Sequence, residues 1–130
     1  MMSACGIWLV GLGCYFAFFR PSFLPEDLRF VGHTSEQIRL AVPGLAKWLQ
    51  LVFVVMGGFM AAAGVLTVFV AQVAMSRRLR GTSWVLGITG VAAVAVMSAI
   101  NFYLYSDYRW VLLVPALIWL AGVVLYVAKR

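Results

Sequence analysis

Residues Trp48 to Ser76 read WLQLVFVVMGGFMAAAGVLTVFVAQVAMS, and none of them is Asp, Glu, Lys or Arg. About 20 apolar residues in a helix span the ~30 Å hydrocarbon core of a bilayer. A stretch of this length and character predicts a membrane-crossing helix. At a rise of about 1.5 Å per residue it is longer than the core is thick, so it must tilt or project. Three further charge-free runs accompany it, Met1 to Phe19, Gly81 to Ser106 and Trp110 to Ala128. The chain is therefore expected to be an all-α membrane protein, a four-transmembrane-helix bundle forming one membrane domain over residues 1–130. Its helices are expected at about 4–19, 45–75, 82–105 and 109–128.

Composition points the same way. Of all residues, 65% are apolar and 11% charged, against about 25% charged in soluble globular domains. The longest polar connection, Arg20 to Lys47, is too short to build a core of its own. The net charge of +6 does not point to nucleic acid, which would need the basic residues gathered in one exposed stripe. They lie instead between the apolar runs, where membrane topology uses them. The first run has no basic residues ahead of it, and Ala17-Phe18-Phe19 lacks a small-x-small cleavage pattern, so it is expected to stay as a helix.

Residues 20–44 are expected on the outer side of the membrane as two short amphipathic helices. Pro25 suits the first position of a helix, with Glu26 and Asp27 in its first turn and Gly32 as a left-handed stop. Thr34 and Gln37 have the spacing of a capping box, and Pro43-Gly44 closes the second helix. Apolar residues such as Leu28, Phe30 and Ile38 alternate with charges, as in helices lying at an interface or over the mouth of a bundle.

Topology is read from the basic residues. Arg77, Arg78 and Arg80 sit within four residues between two apolar runs, and Lys129-Arg130 follows the last one. Dense clusters of this kind anchor the cytoplasmic side, and they attract anionic lipid at about 1 kcal/mol per residue. Both termini are therefore expected in the cytoplasm of a cell membrane, multi-pass, in a bacterial inner membrane. Trp48, Tyr103, Tyr105, Tyr108 and Trp110 would form an aromatic belt at the outer interface, with Trp84 and Tyr126 at the inner one.

Small residues line several helix faces. Gly6, Val10, Gly13 and Ala17 share one face of the first helix. Gly57, Ala61 and Gly64 share one face of the second, with Gly58 and Ala62 beside them. Such faces let helices approach closely. Pro115, one turn into the last helix, removes the hydrogen bond to Val111 and predicts a kink. Cys5 and Cys14 lie nine residues apart, on opposite sides of one helix, so they cannot pair with each other.

Catalytic chemistry is not visible. Ion-coupled carriers need an ionisable group inside the membrane, and no such group falls mid-helix. Thr67, Thr89 and Ser98 are the deepest polar groups, each expected to bond its own helix backbone. A single histidine, His33, rules out a bis-histidine haem site, and no metal site, cofactor, nucleophile elbow or phosphate loop is expected. The one polar constellation is an outer rim of Glu26, Asp27, Arg29, His33, Asp107 and Arg109, close to Arg20 and floored by Asn101. Glu26 is expected to pair with Arg29 at i, i+3, and Asp27 with Arg109 across the rim.

The apolar first helix, the structured outer segment and the run Met56-Gly57-Gly58-Phe59-Met60-Ala61-Ala62-Ala63-Gly64-Val65-Leu66 together resemble the DoxX-like group of small bacterial four-helix membrane proteins. The resemblance implies the same four-helix architecture and a redox-linked role. Members of that group often carry an acidic residue ahead of the paired glycines, where this chain has Trp48-Leu49-Gln50-Leu51-Val52. The outer stretch from Phe23 to Gly32 looks like a signature of small bacterial membrane proteins, and that likeness implies no activity.

Two functions follow as expectations. The first is a non-enzymatic accessory or scaffold protein that acts by helix packing, with the bilayer and a membrane-protein partner or a second copy as its contacts. The second is a protein that handles a small solute or lipid at a polar site in the outer mouth. An enzyme ranks last, for want of a nucleophile, a base or a metal set.

Overall fold

The computed structural model describes residues 1–129; Arg130, counted above with the cytoplasmic cluster, lies outside the described residues. The described chain is all-helical. Four helices are long and apolar enough to cross a membrane: α1 (Met2–Phe19), α4 (Leu45–Ala74), α5 (Thr82–Tyr103) and α6 (Arg109–Ala128). Two short helices, α2 (Pro25–Val31) and α3 (Ser35–Ala41), lie between α1 and α4.

Local chemistry explains the short helices. Pro25 begins α2, and Gly32 ends it with φ 73°, a conformation that costs glycine little. Asp27 Oδ2 accepts a 2.9 Å hydrogen bond from the Leu24 amide. This is the carboxylate half of a capping box; Leu24 has no side-chain oxygen with which to return the bond. In α3 the box is complete, because Thr34 Oγ1 accepts from the Gln37 amide and Gln37 Oε1 from the Thr34 amide.

Across the molecule the long helices stand in the order α4–α1–α6–α5. The closest pair is α1 with α4, and its seam is made of glycine. A Cβ on Gly6 would come within 2.7 Å of the Gly64 carbonyl oxygen, and one on Gly13 within 2.6 Å of the Ala61 nitrogen. Gly57 and Gly64 meet Gly13, Ala17, Gly6 and Val10 in return. The two small-residue faces seen in the sequence are thus each other's partner. By contrast, Gly11, Gly58 and Gly87 have open space where a Cβ would stand.

The core lies where α1, α5 and α6 meet, and it contains Met2, Cys5, Leu9, Leu86, Val94 and Trp119. Cys5 is buried and Cys14 exposed, as their spacing on one helix requires. The Trp119 indole N–H donates to the Leu86 carbonyl at 3.0 Å. It fits because Gly90 leaves its space free; a Cβ there would overlap the ring. In α5 a wider, π-type turn follows Gly90 over Val91–Ala95, the form in which this rare geometry occurs inside α-helices. Ser98 differs from expectation. Its hydroxyl donates to the Leu112 carbonyl of α6 at 2.9 Å rather than to its own helix. Thr67 bonds its own helix, donating to the Ala63 carbonyl at 2.8 Å.

Candidate functional site

The polar rim is assembled by three segments: the end of α1, helix α2 and the turn between α5 and α6. Two of the pairings expected there are corrected by the structure. Glu26 does not pair with Arg29, and Asp27 does not pair with Arg109. Asp27 Oδ2 instead takes the Arg20 guanidinium at 3.0 Å, and Arg29 reaches Asp107 with contacts of 2.9 Å to both carboxylate oxygens. The reason is direction. Glu26 and Arg29 sit one turn apart on α2, but Glu26 points into the molecule while Arg29 points out of it. The Arg109 side chain makes no hydrogen bond or ion pair among the described residues.

Arg20 ends α1 and is largely enclosed, its side chain 10% exposed. Its guanidinium lies over the Phe53 ring, 3.8 Å from the centroid, and 5.2 Å from that of Phe16. Cation–π contacts of this kind are worth about 0.5–2 kcal/mol, more when desolvated. Arg20 therefore ties α1, α2 and α4 together at one point. The Arg29–Asp107 pair is over half exposed on both sides, so solvent screens it. The hydrogen bond that Arg29 donates to Asp107, with the carboxylate's charge, holds the guanidinium above the ordinary arginine value.

Glu26 is buried and is the centre of the rim. Its Oε1 accepts a hydrogen bond from the Ser106 hydroxyl at 2.9 Å, and its Oε2 accepts a longer one, 3.4 Å, from the Asp107 amide. Ser106 is 1% exposed and is held from both sides. Its amide donates to the Asn101 carbonyl at 2.9 Å, and its Oγ accepts from the Tyr108 amide at 3.2 Å. Tyr105, just before it, takes a φ of 51°. That left-handed step is uncommon for a non-glycine residue, and it turns the chain from α5 into α6. Glu26 has no ion-pair partner among the described residues.

Glu26, Ser106 and Asn101 open onto a cavity of about 330 Å³ between α1, α2, α5 and α6. Trp8, Tyr15, Phe16 and Tyr108 supply aromatic walls. Asn101 anchors its amide by donating from Nδ2 to the Met97 carbonyl at 2.9 Å, which leaves its oxygen free of any protein partner. Deeper along α1 and α6 lies a second cavity of about 400 Å³, whose walls include Cys5, Val114, Pro115 and Ile118. Trp8 and Val111 line both cavities. The two therefore adjoin at Trp8 and Val111, the first carrying the polar groups and the second apolar walls. From Tyr108 to Ile118 the helix covers about 15 Å, half of a ~30 Å hydrocarbon core.

The remaining rim residues stand elsewhere. His33 is exposed, with Nδ1 3.1 Å from the Val31 carbonyl, and it borders a separate, mostly apolar cavity of about 550 Å³ beneath α2 and α3. Arg77, Arg78 and Arg80 are exposed at the opposite end of the molecule, between α4 and α5. A cavity of about 370 Å³ at that end has Lys129 as its one charged side chain. No cluster of three metal-binding side chains occurs among the described residues.

Sequence reasoning missed Ser106, Trp8 and Trp119. Ser106 stood at the end of a charge-free run. Its signal was a hydroxyl between Tyr105 and Asp107 in the short connection 104–108. No protein-family model, curated protein or solved structure matches this chain.

Proposed function

We propose that this chain is a multi-pass protein of a bacterial inner membrane, a four-helix bundle whose outer mouth holds an amphiphilic molecule or lipid. Its apolar outward faces support the membrane reading. Phe59, Trp84 and Leu120 are among many large side chains more than half exposed, and a bilayer is the environment that covers them. The two short helices then lie on the extracytoplasmic side, and Arg77, Arg78 and Arg80 on the cytoplasmic side with both termini.

One observation carries the functional reading. The polar cavity at Glu26, Ser106 and Asn101 shares Trp8 and Val111 with the apolar cavity beside it, and the pair is read as one groove. Ligand sites are commonly concave and apolar with a few polar groups that fix orientation. The reading rests on binding, with no catalytic residue and no cofactor assigned. A scaffold function through helix packing is supported less well, because Gly57, Ala61 and Gly64 are already occupied by α1. What remains for a partner helix is the exposed Gly58 and Ala62 strip.

Val111 lines both halves of the groove and is exposed, so Val111→Trp would fill it without disturbing the core. Protein purified in a mild detergent should retain an amphiphile detectable by mass spectrometry, and the variant should lose it. Equal retention by both proteins would sink the proposal.

A further inference from the structure

We propose that the head of the groove selects an ammonium group bearing at least one N–H, on an amphiphile whose chain lies along Trp8, Val111 and Ile118. This deepens the proposed binding function and rests on it. Local pairing on the rim points to a cation. Asp27 is matched by Arg20 and Asp107 by Arg29. Glu26 is the carboxylate without an ion pair among the described residues, and Arg109, the third rim guanidinium, does not come within ion-pair distance of it. Glu26 is 9% exposed and borders the cavity.

Burying a charge without a direct ion pair is costly, and an opposite charge brought beside it relieves that cost; the exposed Arg29 guanidinium acts on Glu26 only from beyond ion-pair distance. The hydrogen bonds to Glu26 do not use up its capacity. An ionised carboxylate has about four lone-pair positions, and the structure fills two, one of them with a long 3.4 Å contact. An ammonium N–H supplies the missing donor and the missing charge together. The surroundings suit a cation in two further ways. Tyr15 and Tyr108 line the cavity, and aromatic rings attract cations. The Asn101 side-chain oxygen Oδ1, without a protein partner among the described residues, is a second acceptor. An anionic head group would meet Glu26 with like charge, which is destabilising in a low-dielectric site. Arg20 does not reverse this, because Asp27 and the Phe53 ring already engage its guanidinium.

The ammonium has two sources, the ethanolamine head group of a lipid and a free long-chain amine. The test uses the full chain in nanodiscs of phosphatidylglycerol, with two photoreactive probes of equal chain length, one ending in a primary ammonium and one in an alcohol. Cross-links are mapped by mass spectrometry. The ammonium probe should label Trp8 and Val111 roughly tenfold more than the alcohol probe, the factor expected of one charge-assisted hydrogen bond. Glu26→Gln should bring the ratio near one while alcohol labelling stays at the wild-type level, which reports an intact groove. Should that variant not fold, the wild-type ratio decides by itself. Equal labelling by both probes, or a preference that survives Glu26→Gln, overturns the inference and leaves the binding reading standing. If neither probe labels Trp8 or Val111, both fail. Phosphatidylethanolamine added to the discs will compete with the ammonium probe if the source is a lipid head group, and will not if it is a free amine.

Discussion

Ser106 Oγ donates to Glu26 Oε1 at 2.9 Å across 80 positions of sequence. This contact joins the turn between α5 and α6 to the short helix α2, and both groups are buried. Hydrogen bonds to charged groups contribute about 1.5–3 kcal/mol, and an orphaned buried partner costs at least as much. Ser106→Ala removes the donor to Glu26 and the acceptor for the Tyr108 amide. It should destabilise the protein by about 2–3 kcal/mol, read as a lowered unfolding midpoint in mild detergent. An unchanged midpoint would mean that the clasp contributes nothing.

The α1–α4 seam makes a sharper contrast. Gly64→Val would push side-chain atoms into the Gly6 carbonyl and the Val10 nitrogen, which are backbone and cannot move aside. Overpacking of this kind costs about 3 kcal/mol or more. Gly58→Val, six positions away, meets nothing within 4 Å and should leave stability within about 0.5 kcal/mol. Size-exclusion profiles and thermal scans of both variants measure the difference. Equal behaviour would show that the seam is not where the helices are locked.

How far the sequence could be read follows from the range of each interaction. The four long helices were legible because a charge-free run is a local property, and so were the stop at Gly32 and the capping box at Thr34. Facing seams were half legible: glycine spacing gave the faces but not the fact that Gly13 and Gly57 oppose each other. The rim pairs were not legible. Glu26 and Arg29 have ideal spacing, yet a seven-residue helix can turn one residue in and the other out. Which of them turns in is decided by Ser106 and Asp107, 80 and 81 positions away. The groove below Trp8 is likewise a product of α1 meeting α6, about which neither helix alone carries a signal.

The exposed Arg29–Asp107 pair should respond to salt and not to pH in the neutral range. The Arg29 guanidinium is held above its ordinary value by the Asp107 hydrogen bond. A group whose folded value is raised contributes fully below its unfolded value, and that contribution is lost as pH rises through the folded value. Both values here lie above any working pH. Between about pH 6 and 9 Arg29 therefore adds no slope to the stability curve, whereas added salt should weaken the pair. The check is a comparison of wild type with Asp107→Asn at low and high salt. A gap between the two that stays constant as salt rises would contradict this account.

Arg20 offers the clearest test of how the rim is held. It donates to Asp27 at 3.0 Å while its plane lies over Phe53. Asp27 in turn caps the Leu24 amide at the start of α2. Lysine keeps the charge but loses the planar stack and the fork of donors. Arg20→Lys should therefore lose the stacking term, about 1–2 kcal/mol in this enclosed position. Arg20→Ala should lose more, because Asp27 would be left part-buried with only the Leu24 amide for a partner. The order of unfolding midpoints should be wild type, then lysine, then alanine. Protease accessibility of residues 20–44 should rise in the same order, since α2 is the element that Arg20 fastens to α1 and α4. If lysine matched wild type in both measurements, charge alone would hold the rim, and the Phe53 ring would be no more than a neighbour.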